Sequence, residues 1–140
     1  KFAQLLTKRA VRTMSGVSVI TVLSKPFVCP GKCVYCPTEP DMPKSYLSNE
    51  PAAMRAKLNL FDAFRQVTMR IKALENNGHE VDKLEVLILG GTWSVYPQSY
   101  KIWFINRCFQ ALNDFITTDK DNPCQPTFIQ DFQSHNNRSF

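Results

Sequence analysis

Apolar positions along this chain alternate between short β-branched runs and longer stretches with helical spacing. Val17 to Leu23 (Val-Ser-Val-Ile-Thr-Val-Leu) is β-branched nearly throughout, and its length and its stop at Lys25-Pro26 predict a strand. Residues 38–50 hold Pro40 and Pro43 without an apolar period, which reads as a loop. Ser48 or Asn49 then makes a good N-cap, with Pro51 in the first turn of a helix. From there to Asn77, Phe61, Phe64, Val67 or Thr68, Ile71 and Leu74 recur three and four apart on one face, and Gly78 is a natural stop. Phe61-Asp62 leaves open whether this is one helix or two. Leu84 to Leu89 is an apolar run of strand length that ends abruptly at Gly90-Gly91-Thr92. A strand apolar on both faces belongs in a parallel sheet covered by helices. After Trp93 to Pro97, a further amphipathic helix runs from about Gln98 to Phe115. It is expected to bury Ile102, Ile105, Cys108 or Phe109, Leu112 and Phe115 or Ile116.

The order strand, loop, helix, strand, loop, helix predicts an α/β fold with parallel strands and amphipathic helices. It is the start of a parallel barrel or doubly wound sheet, in which sites lie at the C-terminal ends of the strands. Three regions follow from this. Residues 1–14 form a basic N-terminal arm, with Lys8, Arg9 and Arg12 among Leu5, Leu6 and Val11. Residues 15–116 form the α/β core, and residues 117–140 a polar tail without sustained period, expected to be loop or disordered.

Composition adds a little. The chain has 140 residues, of which 44% are apolar, and no 18-residue apolar run, so a soluble cytoplasmic domain is expected, with no membrane partner. Net charge is +5, and it is skewed. Residues 1–60 carry nine Lys and Arg against three acids, and the remainder is slightly acidic. A polyanionic partner suits that skew, nucleic acid being the usual one.

The candidate chemistry sits in the loop after the first strand. Cys29, Cys33 and Cys36 form a C-x3-C-x2-C pattern, Cys29-Pro-Gly-Lys-Cys-Val-Tyr-Cys36. Three thiolates in eight residues can each hold one iron of a [4Fe-4S] cluster, leaving the fourth iron open to a small molecule. A structural zinc site needs a fourth ligand, and His79, Cys108, Cys124 and His135 all lie away from knuckle spacing. A disulfide framework is disfavoured by the odd count of five cysteines and by the absence of a visible signal peptide. Tyr35 precedes the last cysteine, where its ring could lie against a flat ligand or simply pack the loop. Gly-Gly after a strand is by itself most often a tight turn; beside an open cluster it becomes a candidate for binding a polar head group. The two loops fall at the same end of adjacent strands and can therefore meet.

With these residues in view, the chain resembles the radical S-adenosylmethionine (SAM) enzymes. More narrowly, four blocks in order are similar to the catalytic subunit of Elongator. They are Arg12-Thr-Met-Ser-Gly-Val-Ser-Val-Ile-Thr-Val-Leu, Cys29-Pro-Gly-Lys-Cys, Met42-Pro-Lys-Ser-Tyr-Leu-Ser-Asn-Glu-Pro-Ala-Ala-Met-Arg55 and Leu89-Gly-Gly-Thr-Trp-Ser94. The short cysteine spacing is similar to the compact bacterial-type members. The resemblance implies a tRNA-modifying enzyme that forms the precursor of 5-carboxymethyluridine at the wobble uridine. It implies a [4Fe-4S] cluster on Cys29, Cys33 and Cys36, SAM as cofactor, acetyl-CoA as co-substrate and an external reductant. It further implies that a SAM-derived radical takes hydrogen from the acetyl group and that the acetyl carbon adds to the base. Carried over by residue, Gly90, Gly91 and Thr92 would meet the amino group of SAM and Tyr35 its adenine. Lys44 and Tyr46, with Ser45 between them, would contact acyl donor or RNA, the first two as catalytic candidates. Apart from the resemblance, the basic side chains Lys8, Arg9 and Arg12 read either as an RNA-binding arm facing tRNA or as the solvated face of a helix. The resemblance implies six strand–helix units of a partial TIM barrel and a following acetyltransferase domain, whereas two units are visible here. The chain, which begins at Lys1, therefore reads as an N-terminal fragment, with a homodimer as one expected assembly. The competing reading is a non-catalytic basic iron–sulfur or zinc module that binds RNA. A protein acetyltransferase role would need the domain that these 140 residues do not include.

Overall fold

The computed structural model describes residues 10–118. Its frame is a pair of parallel strands, β1 (Ser18–Leu23) and β2 (Leu84–Leu89), in register from Ser18 opposite Leu84 to Leu23 opposite Leu89. Parallel pairing requires a crossover, and two helices between the strands supply it. They are α1 (Pro51–Leu58) and α2 (Ala63–Asn76); α3 (Gln98–Thr118) follows β2. The expected α/β arrangement is thus observed.

The question left open at Phe61-Asp62 is resolved as two helices. Asp62 caps α2, its carboxylate accepting from the Arg65 backbone N–H at 2.9 Å. Between the helices, Leu60 and Phe61 both take positive φ, 54° each. The start of α1 differs from expectation, because Pro51 fixes the first helical position and the residue before it must be extended. Glu50 is therefore the cap residue, not Ser48 or Asn49. The Ser48 N–H is instead taken by the Glu39 carboxylate at 2.7 Å.

Each face of the sheet has its own core. Ile20 and Val22 point toward α2 and α3, where Val67, Ile71, Leu74 and Phe104 are fully buried with them. Leu23 and Leu89 point the other way, toward Ala53 and Ala56 of α1 and toward Met42. The buried stripe of α3 is turned from the one expected. Phe104, Cys108 and Ala111 are buried, whereas Ile102 and Ile105 are only partly so and Phe109 is exposed. Residues 102–105 are apolar in succession, so spacing alone could not choose the face. The small side chains of Cys108 and Ala111 allow close approach to α2, and that decides it.

A second correction concerns β2, which is not covered on both faces. None of its six residues is fully buried, and Leu87 and Ile88 remain 40% and 38% exposed. Helices and loops are packed chiefly over β1, and among the described residues β2 pairs on one edge only.

The bottom of β1 is tied to the turn after α2. Gly78 takes φ of 74°, which lets the His79 N–H return to the Leu74 carbonyl at 3.0 Å. His79 is buried and meets the Thr13 hydroxyl through Nδ1 at 3.1 Å, and Ser18 Oγ donates to the Glu80 carbonyl at 2.6 Å. His79 is thereby engaged at the end of α2. Among the described residues no helix is long and apolar enough to cross a membrane.

Candidate functional site

Both special loops leave the sheet at its C-terminal edge, and the strand ends are fixed before the loops begin. Gln66, buried on α2, accepts from the Leu23 N–H through Oε1 at 2.9 Å and donates to the Leu23 carbonyl through Nε2 at 3.0 Å. Its amide pairs with the last residue of β1 as a neighbouring peptide would. One residue on, the Ser24 N–H donates to the Leu89 carbonyl at 2.8 Å. Ser24 Oγ lies 2.9 Å from the Tyr96 hydroxyl, which donates to the Lys25 carbonyl at 2.6 Å. The Lys25 N–H donates to the Tyr100 hydroxyl at 3.1 Å, and the Lys25 ammonium lies 4.7 Å from the centre of the Tyr100 ring. Phe27, Tyr96 and Tyr100 are stacked in sequence at 4.9 and 5.0 Å. Burial pushes the Tyr100 phenol up to about 12 and raises that of Tyr96. These aromatic and hydroxyl contacts form the base on which the cysteine loop stands.

The loops meet. Cys29 Sγ lies 3.3 Å from Thr92 Oγ1, and a Cβ placed on Gly91 would lie 3.8 Å from the backbone N and the Cβ of Lys44. The Thr92 hydroxyl, then the Gly31 backbone N–H and the Lys44 ammonium, hold the Cys29 thiol below its usual pKa. A Cβ on Gly31 would sit 3.5 Å from the sulfurs of both Cys29 and Cys33, so this glycine keeps the space between them open. Ser45, at φ of 77°, turns its hydroxyl onto Cys36 Sγ at 2.9 Å. Lys44 Nζ donates to the Thr38 hydroxyl.

Among the described residues no group of three or more His, Cys, Asp or Glu side chains converges on a common point. The thiols are instead engaged separately, Cys29 by Thr92 and Cys36 by Ser45. Their chemistry nevertheless suits an iron–sulfur cluster. All three are free and reachable from solvent, one is predisposed to lose its proton, and Gly31 leaves room between two of them.

The other expected residues are placed as follows. Tyr35 is at the exposed tip of the loop, 97% accessible. Tyr46 is half-buried and packs on the core beneath α1. Gly90 lies against Ser24, while Gly91 and Thr92 face Lys44 and Cys29. Arg12 is in a short 3-10 turn, Ala10–Thr13, and Lys8 and Arg9 lie outside the described residues, as does Cys124. Cys108 is the core residue expected, its thiol pushed up to about 12 by burial and then by the nearby Asp62 charge. Sequence reasoning missed Gln66, Ser24, Tyr96 and Tyr100. The available signals were a glutamine on the buried stripe of α2 and two tyrosines four apart after the Gly-Gly-Thr turn.

No family model matches the chain. Among curated proteins, a tRNA uridine(34) acetyltransferase from Dehalococcoides mccartyi is 42% identical over 109 residues, covering 78% of this chain and 24% of that protein. The tRNA uridine(34) acetyltransferase of Methanocaldococcus infernus is 44% identical over 116 residues, 79% of this chain and 22% of that protein. Elongator complex protein 3 of Schizosaccharomyces pombe is 39% identical over 127 residues, 83% and 23% respectively. The chain thus spans about a quarter of the length of these relatives. The first match needs no inserted positions, since 78% of 140 residues is about 109. The yeast match runs over 127 positions while covering 83% of the chain, about 116 residues, so gaps of about eleven positions fall within it.

Proposed function

Because the chain belongs to the family of the tRNA uridine(34) acetyltransferases and Elongator complex protein 3, we propose that it carries the cluster-binding and SAM-binding part of a radical SAM enzyme that modifies the wobble uridine of tRNA, with acetyl-CoA as acyl donor and 5-carboxymethyluridine as the end to which the modification leads. The observation that supports this best is the contact between Cys29 and Thr92, which joins the cysteine loop to the Gly-Gly-Thr turn. A cluster ligand and a turn for the cofactor's polar head must be neighbours if the cofactor is to bridge them.

Cys29, Cys33 and Cys36 would hold a [4Fe-4S] cluster. That cluster, with SAM on its open iron, supplies a reductively generated carbon radical when bound. The protein's own residues do the rest. Thr92 and the Gly31 N–H favour the thiolate of Cys29, which is the form that ligates metal. Gly90 and Gly91 expose backbone for an amino group or carboxylate, and Lys44 offers a cation beside them for an acyl donor's phosphates or for RNA. Tyr35, free at the loop tip, can lie over an adenine. The aromatic base beneath the loop keeps Lys25 to Cys29 in place and leaves binding to the residues above it.

The test is anaerobic reconstitution of the chain with iron and sulfide, followed by dithionite reduction and measurement of 5′-deoxyadenosine formed from SAM. Product that disappears in Cys33→Ala is expected. Stoichiometric zinc with no affinity for SAM, together with retained binding of RNA, would instead support the non-catalytic module.

A further inference from the structure

A cavity of about 340 Å³ opens on the same rim of the fold as the cysteine loop, bounded by Lys25, Leu60, Phe61, Asp62, Tyr100 and Trp103. None of these residues belongs to the site described above except Lys25 and Tyr100, which support its base. Trp103 is half-exposed and inclined at 31° to Tyr100, with ring centres 5.7 Å apart. The Lys25 ammonium lies over the Tyr100 ring, so a cation and two aromatic faces share one opening.

The far rim is strained. Leu60 and Phe61 are consecutive non-glycine residues at φ of 54°, a region that L side chains rarely adopt. The Phe61 N–H is held by the Ala56 carbonyl at 2.8 Å, and its ring packs into the core beneath α1. Burial offsets the strain there. The Leu60 N–H is likewise held, by the Lys57 carbonyl at 3.0 Å, but its side chain gains no burial: it is 76% exposed, and a glycine would satisfy the turn at lower cost. Strain without a packing gain, at the lip of a cavity, points to use by a ligand.

We propose that this cavity is a stacking subsite for one unpaired RNA nucleotide, its base on the Trp103 indole and against Leu60, and its phosphate on Lys25. The chemistry fits that occupant: aromatic surface recognises any base, and a lysine at the mouth recognises its phosphate. The net charge of +6 over residues 1–60 draws a polyanion to this half of the chain. The inference rests on the tRNA reading above, and it adds a contact for a nucleotide near, but not at, the cysteine loop. Asp62 is occupied by its cap and by Arg107 at 3.8 Å, so its charge does not stand alone against the phosphate.

The experiment measures binding of a short labelled single-stranded RNA, and of the same RNA annealed to its complement, to the full chain and to three variants. Trp103→Ala should weaken the single strand about tenfold and leave the duplex unaffected. Lys25→Ala should lower the salt dependence of binding by about one ion. Leu60→Gly should leave thermal stability equal or higher while single-strand affinity falls, a combination that a purely structural role would not produce. Equal single-strand affinity in wild type and Trp103→Ala, with both still folded, overturns the subsite and leaves the tRNA reading intact. No binding of single-stranded RNA or tRNA by wild type overturns both. Competition by coenzyme A for the Trp103-dependent binding overturns the RNA assignment in favour of a free nucleotide.

Discussion

A Cβ on Gly90 would lie 1.9 Å from the hydroxyl oxygen of Ser24 and 3.2 Å from its Cβ. The two residues follow the ends of neighbouring strands, so each sets the space left to the other. Gly90→Ala should destabilise the chain by about 1–3 kcal/mol through overpacking. Ser24→Gly in the same chain should recover part of that loss, because φ of 156° at Gly90 remains unfavourable for alanine. Urea unfolding of the two single variants and the double variant measures the coupling. Simple additivity would show that the contact does not govern the turn.

Gln66 provides a second test at the same strand end. Gln66→Ala leaves the Leu23 N–H and carbonyl without the partners that now lie at 2.9 and 3.0 Å, at a cost of about 1–3 kcal/mol for each buried group. Gln66→Leu, nearer in volume, should be as damaging, since packing is kept and both hydrogen bonds are lost. If Gln66→Leu unfolds at the wild-type denaturant concentration, the amide is dispensable.

Alkaline pH should weaken the fold over a defined window. Tyr100 and Cys108 are both pushed up to about 12 from ordinary values of 10.0 and 9.0, chiefly by burial. Their neutral forms are favoured in the folded chain, so the stabilisation is complete below pH 9 and fades as pH rises toward 12, where only the unfolded state has already lost its protons. Chemical unfolding at a series of pH values should show the midpoint falling across that window, and Tyr100→Phe should flatten its upper part.

The Thr92 hydroxyl should be detectable as a change in thiol chemistry. It is the first cause of the lowered Cys29 pKa, so in metal-free protein Thr92→Val should move the pH profile of Cys29 alkylation upward. Cys108, buried with its thiol raised, should resist alkylation until the chain unfolds. Peptide mapping by mass spectrometry after a short iodoacetamide pulse distinguishes the sites. An unchanged Cys29 profile would mean that the Thr92 contact does not persist in solution.

Both strands, the last helix and the meeting of the two loops were legible in the sequence, because β-branched runs, helical spacing and parallel order are local signals with strong geometric consequences. The face of α3 was not legible. Ile102 to Ile105 is apolar at every position, and what chose Phe104 was the room that Cys108 and Ala111 leave for α2. Nor was the base of the site. Ser24 and Tyr96 are 72 residues apart, and a hydroxyl that bonds across such a distance leaves no periodic trace. Gln66 puts a polar side chain on a buried stripe, and only its place in space shows that it stands in for the missing neighbour of Leu23. The cysteines were recognisable by spacing alone, yet the separate partners of Cys29 and Cys36 depend on the positions of Thr92 and Ser45 in space.

The open side of β2 makes the site responsive to whatever docks there. Among the described residues its outer edge presents unpaired peptide groups at alternate positions, Leu87 and Ile88 leave partly bare side chains on the strand, and the strand runs straight into Gly90. A further strand laid along that edge would restrain Leu89 and the turn beyond it, and so narrow the positions available to Thr92 beside Cys29. Free energy released by edge pairing would then reappear as tighter retention of anything held between the two loops, and a ligand held there would, by the same linkage, strengthen the edge pairing.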